Sequence, residues 1–224
     1  MIVLFCLPGK SFSNHFLQSW SELLLWCIQN GITPIMNVRY NAVIYYCRNQ
    51  LLGGDLQNGP DQLPYGGKVD YDYIMWLDSD MVFSPEHFAK LLRVNQDIVS
   101  GLYLMDGGTK YATVQNWDYE YFGKNFSFEF LTPEFVKKYQ KDNPNTLIDV
   151  EYTGFGFVLI KKGVFEKIGY PWFRPIYYEL PNGVSDFCAE DVGFCQMAIK
   201  KGFKIYIESS VVVSHEKTKI YGPE

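Results

Sequence analysis

Short apolar runs that alternate with segments of helical period constrain this chain more than any other feature. Ile2 to Leu7 is an apolar run closed by Pro8-Gly9, the pattern of a buried strand. Phe16, Leu17, Trp20, Leu23, Leu24, Cys27 and Ile28 then recur at helical spacing, with Ser13 placed to cap the helix and Gly31 to end it. Ile32 to Val38 reads as strand, and Pro34 puts it at a sheet edge or a bulge, because proline has no N–H to give a ladder. Ala42 to Leu52 reads as helix and stops at Gly53-Gly54, and Asp55 to Lys68 is a Gly-, Pro-, Asn- and Gln-rich loop. Tyr73 to Leu77 is a second buried strand. Ser84-Pro85-Glu86 starts a helix, with Ser as cap and Pro in the first position, and Asp97 to Leu104 is strand again. This alternation predicts an α/β fold with a mostly parallel central sheet flanked by helices on both faces.

The pattern breaks from Asp106 to Val150, which is crowded with aromatics and turn residues and has no clear period. It returns as a strand over Tyr152 to Ile160 and a short helix over Lys162 to Ile168. A loop over Pro171 to Gly183, a helix over Cys188 to Lys201 ended by Gly202, and a strand over Lys204 to Val213 follow. With 224 residues and no linker or repeat, one domain is expected. Its regular half spans about 1–105 and its looped half about 106–224.

Composition excludes several function classes. Acidic residues outnumber basic ones 25 to 20, which argues against duplex nucleic acid or an anionic membrane as the main partner. No apolar run approaches the roughly 20 residues that span a bilayer. The N-terminus has no basic segment before its apolar run and reads as a poor signal peptide. Five scattered cysteines without a C-x-x-C pair read as reduced thiols, which favours a cytoplasmic location.

Three constellations can carry chemistry. Asp78-Ser79-Asp80 follows an apolar strand, so its two carboxylates, at i and i+2, point to one side of a strand's carboxyl end. Paired carboxylates there suit Mg2+ or Mn2+, although a solvated turn capping the next helix explains them equally well. Glu190-Asp191 opens a helix, where the helix dipole alone favours acids; with Asp186 already available as cap, and Phe187-Cys188 suggesting a partly buried approach, an acid here can serve as general base. His215 ends the apolar strand Val211 to Ser214. His15 and His87, near helix starts, read as structural. Gly9-Lys10-Ser11 is not a P-loop, because Leu4 stands where the motif needs glycine.

Five features in order resemble the GT-A glycosyltransferases, which use nucleotide-sugar donors. They are the turn Leu7-Pro8-Gly9-Lys10, the pair Arg48-Asn49, Asp78-Ser79-Asp80, the segment Thr153 to Ile160 with Lys161 to Phe165 after it, and Glu190-Asp191 followed by His215. Within that family the chain is similar to compact enzymes of large DNA viruses, such as chlorella viruses, that glycosylate capsid protein. The resemblance implies an inverting, metal-dependent hexosyltransferase moving a sugar from a nucleoside-diphosphate sugar, UDP favoured, to a glycan or glycoprotein. It implies Asp78, Asp80 and His215 around Mn2+ or Mg2+. Pro8, Gly9, Lys10, Arg48, Asp78 and Ser79 would line the donor, and Asp191 would be the base. A mixed Asp/His set favours Mn2+. Larger members continue beyond the histidine, whereas nine residues follow His215 here, which leaves open that the chain is one domain of a longer protein.

Two other readings stay open. A sugar-phosphate nucleotidyltransferase shares the sheet and the carboxylates but needs a glycine-rich, arginine-containing loop that Leu7 to Phe12 lacks. A non-catalytic sugar-binding module would use the aromatics, 17% of the chain, as stacking platforms. Trp117 to Phe122 and Trp172 are the rings expected on the acceptor side, with a satellite core as the alternative.

Overall fold

A computed structural model describes residues 1–180 and 182–217, so the terminal segment from Thr218 to Glu224 lies outside the described residues. The first half reads β1 (Ile2–Pro8), α1 (Asn14–Gln29), β2 (Thr33–Arg39), α2 (Ile44–Leu51), β3 (Tyr73–Leu77), β4 (Met81–Val82), α3 (Pro85–Val94) and β5 (Ile98–Leu102). Next come β6 (Thr113–Val114), α4 (Tyr119–Asn125), α5 (Pro133–Asp142), β7 (Ile148–Val150), β8 (Tyr152–Thr153), β9 (Phe157–Lys161) and α6 (Val164–Ile168). The chain then forms β10 (Ile176–Glu179), β11 (Ser185–Cys188), α7 (Glu190–Lys200), β12 (Ile205–Val212) and β13 (Ser214–His215).

The central sheet has seven strands in the order β2-β1-β3-β9-β5-β12-β7. The pairs β2-β1, β1-β3 and β5-β12 are parallel; β9 and β7 run antiparallel to their neighbours. Strand alternation sorts the core into two layers. Leu4, Cys6, Ile74, Trp76, Val158 and Ile160 face the layer of α2, α6 and α7. Val3, Phe5, Leu7, Met75, Leu77 and Leu159 face α1 and α3. Pro34 sits in β2, which is the sheet edge, so no bulge is needed to accommodate it. Ser13 caps α1 through Oγ, which accepts the Phe16 N–H. His87 keeps its structural role, its Nδ1 accepting the Ser84 N–H at the start of α3.

Four sequence expectations change. The segment Tyr152 to Ile160 is not one strand: β8 pairs with β6, and β9 enters the central sheet three residues later. The break lies at Gly154-Phe155-Gly156, where the Tyr103 ring occupies the space that a Cβ on either glycine would need. Within Pro171 to Gly183, Ile176–Glu179 is a strand that forms a hairpin with β11, and Cys188 ends that hairpin rather than starting a helix. The aperiodic segment holds two helices. Their start signals were present: Thr132-Pro133-Glu134 is a cap, proline and acid, and Asp118 caps Tyr119–Asn125. Finally, the N-cap position of α7 is Ala189, with no side-chain cap, while Asp186 lies in β11 and accepts the Phe187 N–H. Phe187 is exposed.

Gly193 sets how α7 seats. A Cβ there would meet the carbonyl oxygen of Arg174, a backbone atom that cannot rotate away. Gly193→Ala is expected to cost about 1–3 kcal/mol by overpacking, read as a lower urea midpoint at unchanged m-value. An unchanged midpoint would show that the loop yields freely. No helix among the described residues is long and apolar enough to cross a membrane.

Candidate active site

The turns after β1 and β3 meet at the carboxyl ends of the parallel strands. A Cβ on Gly9 would stand 2.6 Å from the Ser79 Cβ, so only glycine lets these two turns close on each other. Gly9 also donates its N–H to Arg39 O at 2.9 Å, which ties the turn to the edge strand. Pro8 is buried, while Lys10 is exposed with its ammonium 5.8 Å from the Tyr40 ring centroid.

Arg48 is not at the surface. It is buried beneath the rings of Trp76, Phe155 and Phe173, 5.4–6.0 Å from their centroids. Its Nη2 donates to Asp78 at 3.1 and 3.3 Å, and its Nε donates to Glu190 at 3.1 Å. One guanidinium therefore holds the first carboxylate of the D-x-D turn and the first acid of α7. Its Nη1 is buried with no partner among the described residues. Burial pushes the Asp78 carboxyl up, and Arg48 pulls part of that shift back. Asn49, next along α2, bonds both backbone groups of Phe173 and so anchors the loop across from it.

Asp80 and His215 come together. The two-residue strand β13 pairs with β4 in the register His215 to Met81, beside the D-x-D turn. His215 Nε2 lies 2.9 Å from Asp80 Oδ2, and the Lys217 Nζ approaches the same oxygen at 3.1 Å. Burial raises the Asp80 carboxyl, but His215 and Lys217 outweigh it and its pKa lies below the ordinary value. Burial lowers His215, but its bonds to Asp80 and to the Leu104 carbonyl outweigh that and raise it. Asp78 turns toward Arg48 instead, and among the described residues no three of His, Cys, Asp and Glu converge as metal ligands.

The donor chemistry of the Asp80–His215 pair nonetheless suits a divalent cation. His215 Nδ1 lies 2.8 Å from the Leu104 carbonyl oxygen. With Nδ1–H held by that carbonyl, Nε2 is the ring atom that would serve as ligand once a cation displaces the proton it shares with Asp80. Lys217 already places a positive charge against the same oxygen.

Asp191 is partly buried in the first turn of α7. Its Oδ2 accepts the Tyr152 O–H at 2.9 Å, and its Oδ1 accepts the Val192 N–H at 2.7 Å. Burial, followed by the charge of Glu190, pushes its pKa up to about 6; Tyr152, Val192 and Arg48 restrain the rise. Glu190 is committed to Arg48, so Asp191 is the acid left free to exchange a proton.

Tyr152 and Tyr103 are the residues that sequence reasoning missed. Tyr103 is buried and its hydroxyl accepts the Gly156 N–H at 3.3 Å, while its ring stands edge-on to His215 at 5.3 Å. Nothing in the periodicity marks either hydroxyl. The aromatic expectations divide. Trp172 is fully buried and donates to the Phe165 carbonyl, so it belongs to the core. Trp117 and Phe122 stack on Phe128, and Tyr119 stacks on Tyr178, forming a satellite cluster. That cluster reaches the site where Trp117 meets Tyr152, 5.2 Å away.

No family model and no curated protein matches the sequence. The fold has solved relatives in shape. The crystal structure of A197 from STIV is 21% identical over 97% of this chain and 87% of its own, with a TM-score of 0.53. The catalytic domain of Drosophila β1,4-galactosyltransferase 7 in complex with xylobiose is 12% identical over 97% of this chain and 71% of its own, with a TM-score of 0.50. A variant of that enzyme in complex with manganese, UDP-Gal and xylobiose is 11% identical over the same shares, with a TM-score of 0.51. These likenesses are of fold: a central, mostly parallel sheet flanked by helices in the GT-A arrangement.

Proposed function

We propose that this chain is a metal-dependent glycosyltransferase that moves a sugar from a nucleoside-diphosphate sugar to an acceptor hydroxyl of a glycan or glycoprotein, with inversion. UDP-sugars are the favoured donors. The observation that carries the reading is the placement around Tyr103 of the Asp80–His215 pair, which meets its ring edge-on, and of Asp191, a half-buried acid with its pKa raised to about 6 whose charge reaches the same tyrosine. The shared fold with an enzyme solved with manganese and UDP-Gal supports it. On this reading residues 1–105 form the nucleotide-binding half of one domain, and 106–224 form its acceptor half.

Asp80 and His215 would hold Mn2+ or Mg2+, with Asp78 near them. A divalent cation on the donor's phosphates neutralises charge that develops as the diphosphate leaves. Pro8, Gly9, Lys10 and Ser79 would face the nucleotide, with Lys10 free to swing from Tyr40 to a phosphate. Arg48 would act from beneath, holding Asp78 and Glu190 in place. Asp191 would take the acceptor's hydroxyl proton as the new glycosidic bond forms, with Tyr152 fixing the carboxylate's orientation.

Release of free nucleoside diphosphate from a panel of nucleotide-sugars, with and without Mn2+, tests the reading directly. No metal-stimulated release from any donor would overturn it. Asp80→Ala and His215→Ala are each expected to weaken Mn2+ binding while leaving the melting transition cooperative. Unchanged metal titration in both variants by calorimetry would remove these residues from the site.

A further inference from the structure

The satellite half of the molecule holds a cavity that the mechanism above does not use. It measures about 480 Å³, within the roughly 300–1,000 Å³ range of ligand sites. Its walls combine aromatic faces, Tyr121 and Phe130, with the amides of Gln115 and Asn116. The Asn125 amide is already bonded to the Tyr121 carbonyl. Neither the Gln115 nor the Asn116 side-chain amide is bonded to another described residue; Gln115 is partly exposed and Asn116 exposed on the wall. Lys110 and Glu129, of opposite sign, are the charged residues on the wall, so the cavity offers no net field to attract an anion or a cation.

The cavity is tied to Asp191 through one residue. Gln115 and Asn116 continue directly from β6, whose Val114 pairs with Tyr152 in β8. The Glu151 N–H donates to the Gln115 carbonyl at 3.1 Å, and the Trp117 N–H donates back to the Glu151 carboxylate at 2.6 Å. Phe130 lies 6.4 Å from the Tyr152 ring, and the Tyr152 hydroxyl bonds Asp191. Tyr152, itself buried, thus stands between the cavity wall and Asp191.

We infer that the cavity is a binding subsite for a neutral sugar residue of a glycan chain, remote from the reacting hydroxyl and bound through the free amides of Gln115 and Asn116 and the faces of Tyr121 and Phe130. Apolar sugar faces stack on rings, and equatorial hydroxyls match amides that both donate and accept. A peptide is the poorer fit, because β6, the strand that leads into the wall, is already paired with β8 and bridged at Val114 to Phe130. The inference deepens the proposed transfer reaction and rests on that reading for the link to Asp191.

The test uses a double variant, Gln115→Ala with Asn116→Ala, which removes one partly exposed and one exposed amide and leaves the aromatic packing intact. Wild type and variant are probed on an array of neutral and acidic oligosaccharides and on a peptide array, without donor. Hydrolysis of the nucleotide-sugar with Mn2+ is measured separately. The expected result is binding of neutral oligosaccharides by the wild type, weakened at least about tenfold in the variant, with donor hydrolysis unchanged. In transfer assays the KM for long acceptors should rise while that for a monosaccharide acceptor stays constant. Equal glycan binding by both proteins, no glycan binding by the wild type, or preference for peptides or acidic glycans would overturn the subsite. Glycan binding that is lost in the variant, from a wild type that hydrolyses no donor, would uphold the subsite and overturn the transferase reading instead.

Discussion

Asp191→Asn will lower kcat by roughly 10²–10⁴-fold, the usual cost of removing a general base, while Mn2+ and donor affinity stay unchanged. The amide is isosteric: its oxygen can keep the Val192 N–H and its NH2 can donate to the Tyr152 hydroxyl oxygen, so the site keeps its shape and loses the proton acceptor. The pH profile provides a second readout. The Asp191 carboxyl is raised from 3.8 to about 6. Below that value it is protonated and cannot accept the acceptor's proton. Wild-type kcat/KM should therefore climb as pH rises through about 6 and level off above it, and the variant should lose this limb. Tyr152→Phe should retain measurable activity with the limb moved, because the hydroxyl holds that pKa down. Retention of the donor's anomeric configuration in the product, read by NMR, would end the base assignment, since a front-face transfer does not use it.

Arg48→Met will destabilise the fold by about 3–5 kcal/mol, because it leaves Asp78 and Glu190 without their shared cation in a partly dry site. For a chain of this size that is a fall in Tm of roughly 6–20 °C. The sign follows from burial. A surface ion pair would cost under about 1 kcal/mol, and Arg48 is instead covered by three aromatic rings. Activity should fall with it, since Asp78 and the start of α7 are no longer held in register. Arg48→Lys should recover part of the stability but only one of the two bonds, because an ammonium lacks the planar fork. A Tm within about 1 °C of wild type in the methionine variant would show that water replaces the guanidinium, and the ion-pair account would fail.

The metal and donor expectations read differently once the chain is folded. The sequence pointed to Asp78, Asp80 and His215 as one set, and Arg48 as a donor contact. Folding puts Arg48 under the sheet's end, so Asp78 is drawn to it and Asp80 pairs with His215. Between two adjacent acids, the same arginine also decides which one is free. Glu190 and Asp191 are alike in sequence, and both gain from the helix dipole. They differ because one faces a guanidinium and the other a phenol.

Local periodicity by itself determined most of the architecture. Alternating runs of strand and helix length, caps such as Ser13 and Ser84-Pro85, and the stops at Gly53-Gly54 and Gly202 are all written in neighbouring residues, because backbone hydrogen bonding and capping are short-range. The D-x-D turn and the acids of α7 were legible for the same reason. Tertiary structure alone decided what those groups touch. Tyr103 fills the space left by Gly154 and Gly156 and splits a continuous apolar run into two strands of different sheets. A two-residue pairing over 130 residues of sequence separation brings His215 to Asp80. Tyr152, 39 residues from Asp191, supplies its hydrogen bond. Such contacts form where side chains from distant segments compete for one small, partly dry volume, and no local pattern of residues records that competition.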